Sequence, residues 1–419
     1  MSVYQVKGKY SDDIAIMALR YLSSAHEISL DVFSAQNNID AITRSQIERF
    51  VDDYINRMGK VEPLVEDPDI EDITVLPENY VYIYHRTLGS MRTDIFFTEY
   101  EAGRFAKHLA QRSGKTLSVY NPIVDISFGN LRINIVHHDV ARPTISIRKL
   151  RSNPYNPANL IGNGTTSPEI MAYIWEAIES RLNIIITGST ASGKTTFLNA
   201  IAMFLGPLTN VAIIEDTHEL NLKGKNMMLL QPKPGVEDLS MQSIIDIIHY
   251  RSPDYLIAGE IRGNDINTFF NYLASGRKGI TTVHSGSPAG LIRRLRSPPL
   301  SIPESSLMNV DIIVEMRNDA RRYVGKVSEI HMDDGILLNN VYEYSATGYQ
   351  ASGVSYAIKK IAGLKGIPEA FVENSIASKR DLLSGLDPRI GTEEFLAAIS
   401  KFQLSREKSS EERKGDRDP

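Results

Sequence analysis

The chain has no cysteine among its 419 residues, which excludes both a disulfide framework and a thiolate zinc site. It has no run of about 18 consecutive apolar residues, so no segment reads as a membrane-spanning helix. The opening stretch MSVYQVKGKYSDD is polar and lacks an apolar secretory core, so the chain is expected in the cytoplasm. An excess of one charge is also missing. The 46 Lys and Arg against 51 Asp and Glu give a net charge of −5. That balance argues against a polyanion binder and leaves only local basic patches open. No internal repeat is visible. What is present is ordinary globular material, 42% hydrophobic and 23% charged. The length suggests two or three domains, because single cores stop growing near ~250–300 residues.

Residues 1–60 are polar but hold one amphipathic helix, with Ile47, Phe50, Val51, Tyr54, Ile55 and Met58 at helical spacing. Strand-like runs follow at Ile70–Leu76 and Tyr80–His85, then helical spacing over Phe96–Gln111, then strands at Asn130–Val136 and Thr144–Ile147. That mixture predicts a small α+β domain over 61–150. The Asn-, Pro- and Gly-rich stretch 151–167 reads as a linker. From 168 to 345 the pattern changes. Short, nearly all-apolar runs (Ile184–Thr187, Val211–Ile214, Leu256–Ala258, Ile280–Val283) alternate with helical stretches, which predicts a parallel sheet flanked by helices. Asp311–Met316, Tyr323–Met332 and Ile336–Tyr344 read as closing strands. A helical region is expected over 346–404, and the charged tail 405–419 is expected to be disordered.

Four segments carry chemistry. Gly188-Ser189-Thr190-Ala191-Ser192-Gly193-Lys194-Thr195, followed by Thr196, is a complete GxxxxGK[ST] phosphate-binding loop set between an apolar strand and a helix. Its glycines let backbone N–H groups curl around phosphates, Lys194 reaches the β and γ phosphates, and Thr195 can ligate Mg²⁺. The helix start adds a favourable dipole. This reads as an ATP site. Glu215, Asp216 and Glu219 leave the next strand, where carboxylates of a parallel sheet face the nucleotide crevice; taken alone, they could equally complement a helix dipole. Tyr255–Ala258 ends in Gly259-Glu260, where Glu260 suits a general base and could hold Mg²⁺ through water, or could simply pair with Arg262. Asp216 is the remaining candidate for the metal. His284 ends a further strand and could sense the γ phosphate or be structural. The run Arg293, Arg294, Arg296 reads as a solvated or contact face, and Tyr80, Tyr82 and Tyr84 line one face of a strand as packing.

The set GSTASGKTT, IIEDTHEL, PDYLIAGEIRG and GRKGITTVH resembles the Walker A, Asp box, Walker B and His box of the ATPases of type II and type IV secretion, pilus assembly and the archaellum. The Gly-Glu ending of the third motif is the most specific mark. LRINIV and RPTISIRKL resemble the end of that family's N-terminal domain, so the likeness covers about 61–345. It implies a RecA-like P-loop ATPase domain with a smaller α+β N-terminal domain, ATP held between the two, and a homohexameric ring. It also implies arginines reaching the site from the N-terminal domain, matching Arg132 and Arg148, with Arg142 third. An always-charged donor fork suits a loose phosphoryl transition state.

The implied role is a cytoplasmic ATP-hydrolysing motor, peripheral to the membrane, that powers assembly of a pilus-like or archaellum-like filament through a polytopic membrane platform protein. The alternative is a DNA- or protein-transfer channel, or pilus retraction. Three departures bear on this. Arg277 stands where the His box commonly begins Gly-His, a tetracysteine zinc module is absent, and no AIRNLIRE-like retraction segment occurs. The motif wording is closest to archaeal members. The charge balance and the lack of a DNA-binding motif argue against direct nucleic-acid binding. Segment 1–60 is the candidate contact to the platform, with packing on its own domain as the other reading.

Overall fold

The computed structural model describes residues 3–7, 10–24, 28–136, 142–150, 153–206, 208–215, 220, 222, 226–233, 239–333, 335–351 and 355–415. The chain forms two compact units, 1–151 and 152–419.

The first unit is built on a seven-stranded sheet: β1 Val3–Tyr4, β2 Ile70–Val75, β3 Asn79–His85, β4 Gly89–Phe97, β5 Ile123–Phe128, β6 Leu131–Val136 and β7 Thr144–Lys149. The order is β1-β4-β3-β2-β7-β6-β5, antiparallel except for β1 beside β4. Period-two alternation sends Ile73, Val81, Ile83, Ile133, Ile135, Ile145 and Ile147 to one buried face. Helix Glu99–Arg112 covers that face with Ala102, Phe105, Ala106 and Leu109, and starts at a capping box between Thr98 and Glu101.

The amphipathic helix expected near residue 50 is Ala41–Asn56. Its apolar side is used inside the unit. Ile47 and Phe50 pack with Ile14, Ala15 and Ala18 of helix Asp12–Ser24. Tyr54 stacks on His108 at 4.8 Å, and Arg112 donates to the carbonyl of Asn56 at 2.6 Å. The face proposed for a platform contact is therefore largely occupied by the unit's own core. Tyr80 and Tyr84 lie on the exposed side of the sheet, not in a core.

The second unit holds a nine-stranded sheet: β8 Ile184–Gly188, β9 Val211–Ile214, β10 Met227–Leu230, β11 Tyr255–Ala258, β12 Gly279–His284, β13 Ile312–Asn318, β14 Arg322–Met332, β15 Ile336–Ser345 and β16 Gly348–Ala351. Its order is β10-β9-β11-β12-β8-β13-β14-β15-β16. The first six strands run parallel and the last four form antiparallel hairpins. Both faces are covered, which is why the parallel strands read as continuous apolar runs. Ile184, Ile186, Ile213 and Ile257 face helices Pro168–Glu179 and Lys194–Ala202. Ile185, Ile214, Leu256 and Val283 face Met241–Arg251, Asp265–Ala274 and Pro288–Arg296.

Three expected boundaries are corrected. Residues 153–167 are not a linker. Helix Pro157–Gly162 buries Pro157, Ala158 and Leu160, and the Val324 N–H bonds the carbonyl of Thr165 at 2.8 Å, so the stretch belongs to the second unit. The region after 345, expected to be helical, begins with β16 before turning helical, and its helices pack into the core of the second unit. The backbone of 405–415 continues helix Thr392–Gly415; the Glu, Lys and Arg of that stretch are good helix formers, and the helix's earlier turns are anchored by buried Phe395 and Ile399.

Two buried carboxylates fix the C-terminal helices. Glu176 accepts from Lys365 and Lys379, each at 2.7 Å, and from Ser375. Burial alone would raise its carboxyl, but the Lys379 charge and the bonds from Lys365, Lys379 and Ser375 prevail and bring it down to about 2. Glu329, on β14, accepts from Tyr173 at 2.6 Å, from Asn339 at 3.1 Å and from Ser355. It also takes the N–H groups of Tyr356 (2.7 Å) and Ala357 (3.1 Å) at the start of helix Tyr356–Lys365.

Candidate active site

Parallel pairing brings the carboxyl ends of β8, β9, β11, β12 and β13 to one edge of the sheet. Gly188 stands in register with His284 on one side and Met316 on the other, and Ile214 with Ala258. Gly188, Glu215, Glu260 and His284 therefore share an edge, as doubly wound sheets arrange their ligand crevices.

The loop 188–193 leaves β8 under tight steric limits. A Cβ on Gly188 would lie 2.3 Å from the Met316 carbonyl oxygen and 2.6 Å from Ser192 Oγ, so only glycine fits. Ala191 (φ +60°) and Gly193 (φ +94°) turn the chain through the left-handed region into helix Lys194–Ala202. Gly193 has no side chain to cap this helix. The Lys194 ammonium is buried inside the curl, donating to the carbonyls of Gly188 (3.2 Å) and Ser189 (3.0 Å). Ser192 is fully buried, and its hydroxyl has no hydrogen-bond partner among the described residues. Ser189, Thr190 and Ala191 form an exposed crest, and Thr195 and Thr196 are half-buried in the first helical turn.

Glu215, 4% exposed, continues from β9 and accepts the Leu220 N–H at 2.7 Å. Its side chain lies directly over Gly259. A Cβ there would sit 3.3 Å from Glu215 Cγ and 3.5 Å from Oε1. The glycine that departs from the usual Asp-Glu ending is thus the space Glu215 occupies. Glu260 follows, half-buried, with one oxygen 2.6 Å from Arg262. The turn is held by Thr282, whose buried hydroxyl donates to the Gly259 carbonyl at 2.7 Å. His284 ends β12 with its side chain exposed, and its carbonyl accepts from Arg294 at 2.5 Å. Asp216 and Glu219 lie outside the described residues.

Arg132 and Arg148 belong to the first unit. They stand opposite one another on β6 and β7, on the sheet face away from its core, and Arg148 pairs with Asp72 of β2 at 2.8 Å. Arg142 precedes β7, where its carbonyl accepts from Thr144 at 2.9 Å.

The hairpin tip between β13 and β14 was read only as closing strands, yet it lies against the phosphate-binding loop. Asn318 donates to the Ala191 carbonyl at 3.3 Å, and Arg322 Cδ approaches within 3.6 Å of where a Gly193 Cβ would be. No sequence signal ties these residues to the loop. The β8–β13 pairing does.

Among the described residues no three His, Asp or Glu side chains converge as a metal cage. The donors present are hard oxygens, the Thr195 hydroxyl and the Glu215 and Glu260 carboxylates. That set suits Mg²⁺, which keeps most of its waters and binds substrate phosphates plus one or two protein groups. No helix among the described residues is long and apolar enough to cross a membrane.

The model of the type II/IV secretion system protein family matches residues 123–317. Two uncharacterized proteins of Methanocaldococcus jannaschii are similar to this chain. One is 31% identical over 75% of this chain and 60% of its own length; the other is 32% identical over 59% of this chain and 97% of its own. This chain therefore spans about three fifths of the length of the first of these relatives. The crystal structure of the pilus retraction motor PilT with bound ADP matches with a TM-score of 0.51 at 16% identity, over 73% of this chain and 85% of that one. This likeness bears on the fold alone. By sequence and fold together, the chain belongs to the type II/IV secretion ATPase family, as a RecA-like P-loop domain preceded by a smaller N-terminal domain.

Proposed function

We propose that this chain is an ATP hydrolase that works as a hexameric motor and powers assembly of a type IV pilus-like or archaellum-like filament. The observation that carries the reading is one sheet edge holding a glycine-lined phosphate loop, a buried lysine and two carboxylates from neighbouring strands. The phosphate chain of ATP lies in the loop, with Lys194 on the β and γ phosphates and the N–H groups at the start of helix Lys194–Ala202 on their oxygens. Thr195 and, through water, Glu215, Asp216 or Glu260 would hold Mg²⁺, which would supply charge neutralisation for the phosphates. Glu260 turns from Arg262 to the attacking water and takes its proton as the water oxygen bonds the γ phosphorus. The bond to the bridging oxygen breaks, and ADP carries away the electron pair. Arg132 and Arg148 stabilise the charge that develops, and His284 reports the loss of the γ phosphate to its strand.

A motor of this kind exerts force only against something fixed, so its partner is a polytopic membrane platform and its place the inner face of the membrane. The missing retraction-type segment favours assembly over retraction. The test separates binding from turnover. Lys194→Ala is expected to weaken ATP binding, and Glu260→Gln to keep binding and lose phosphate release. Normal turnover in Glu260→Gln would remove it as the base.

A further inference from the structure

The tip of the β13–β14 hairpin carries three arginines, and among the described residues one of them has no side-chain partner. Arg317 forms a two-bond pair with Glu315, at 3.0 and 3.3 Å. Arg321 donates to the Tyr344 hydroxyl at 2.6 Å and lies over that ring. Asp319, the other acid of the tip, accepts from the Tyr323 hydroxyl at 2.7 Å. Both neighbouring carboxylates are thus engaged elsewhere. Arg322 is exposed, and its side chain has neither a hydrogen bond nor an ion pair among the described residues.

Its position sets that side chain beside the loop. The Arg322 stem packs against Gly193, the N-cap of helix Lys194–Ala202, at the positive end of the helix dipole. The buried Lys194 ammonium is the next residue. Positive charge gathered at a helix N-terminus favours an anion there. A single phosphate on Lys194 would leave Arg322 unmatched. A chain of phosphates running past Gly193 would engage both. Asn318, directly across the hairpin from Arg322, bonds Ala191 at the crest of the loop and so fixes the tip relative to it.

From this geometry we propose that Arg322 is a nucleotide-binding residue, contacting the phosphate chain of the ATP or ADP in the loop from the same subunit. The proposal rests on the nucleotide reading of this site and adds a second cation to it. Because the contact is to phosphate, it acts on ATP, ADP and GTP alike.

Calorimetric titration of ADP and GDP into wild type, Arg322→Ala, Arg322→Lys and Arg321→Ala tests this, together with thermal melts with and without ADP. Arg322→Ala is expected to weaken both nucleotides by about tenfold or more, the scale of a charge-assisted bond. Arg322→Lys should recover part of the loss, and Arg321→Ala should bind as wild type does. Without nucleotide, the Arg322→Ala melt should be unchanged, because no side-chain partner is lost, while the rise caused by ADP shrinks. Unchanged ADP affinity in Arg322→Ala overturns the proposal, and so does a loss confined to one base. If Lys194→Ala binds ADP as wild type does, the nucleotide reading itself fails, independently of Arg322.

Discussion

Adding a side chain at Gly259 is a direct probe of the site, because its backbone permits one and its surroundings do not. Gly259 does not lie in the left-handed region, so alanine carries no backbone penalty there. Its Cβ would meet Glu215 Cγ at 3.3 Å, Oε1 at 3.5 Å and Cβ at 3.8 Å. Glu215 has little room to yield. Its N–H bonds the Leu230 carbonyl at 3.2 Å, its carboxylate takes the Leu220 N–H, and the Gly259 N–H is tied to Ile214 at 2.9 Å. Overpacking of this kind costs about 1–3 kcal/mol. For a unit of this size that lowers Tm by several degrees, at about 2–4 °C per kcal/mol. Gly259→Asp adds like charge: two carboxylates about 4 Å apart repel by about 4 kcal/mol at an effective dielectric of 20.

Restoring the Asp-Glu ending of an ordinary Walker B strand should therefore damage this protein. Melting curves and steady-state phosphate release on Gly259→Ala, Gly259→Asp, Glu215→Ala and the Gly259→Asp/Glu215→Ala double variant provide the assay. The double variant is expected to melt well above Gly259→Asp, with a coupling of at least 1 kcal/mol between the two positions. Wild-type Tm and kcat in Gly259→Ala, or strict additivity in the double variant, would refute the reasoning.

Alanine at Arg132 or Arg148 is expected to cut kcat by ~10²-fold or more with little change in ADP affinity, as for other arginine clamps; equal kcat would remove them from the site. Light scattering of Glu260→Gln with ATP should give a six-subunit mass, and a fully active monomer at high concentration would contradict the ring. Glu176 has its folded carboxyl depressed to about 2. Its contribution is therefore full above the unfolded value near 4.5 and is lost as pH falls toward 2. Lys379→Met should cost about 3–5 kcal/mol near neutral pH and flatten that acid limb in equilibrium denaturation, since it leaves a buried carboxylate short of a partner. Deleting the gene should abolish a surface filament without blocking synthesis of its precursors; intact filaments with lost DNA or protein transfer would favour the transfer reading instead.

Much of the second unit was legible because its chemistry demands fixed residue types. The spacing from Gly188 to Thr195 is set by phosphate geometry. Val211–Ile214 and Tyr255–Ala258 are covered on both faces, and so appear as unbroken apolar runs. Strands that escaped notice carry weaker signals. β10 is a four-residue edge strand, only partly buried, and β4 interrupts its apolar alternation with the fully buried Thr93. The segment before helix Pro168–Glu179 looked like a linker because Asn, Pro and Gly are loop residues. Asn156 is instead a buried cap, whose amide also holds the carbonyl of Ile390 at 2.9 Å. The role of Gly259 and the position of Arg322 depend on pairings between distant strands, which local spacing does not encode.

β14 joins two things that sequence keeps apart. Its first residue rests on the N-cap of the phosphate-binding helix, and seven residues further on Glu329 clasps the start of helix Tyr356–Lys365. At the rise of an extended strand the two ends are about 23 Å apart. Between them the backbone pairs with β13, apart from a bulge at Gly325, and with β15 from Lys326 onward. Such a strand barely stretches. A pull on the C-terminal helices is therefore delivered along the strand to the N-cap of helix Lys194–Ala202, and a change at that N-cap is felt by the helices in turn.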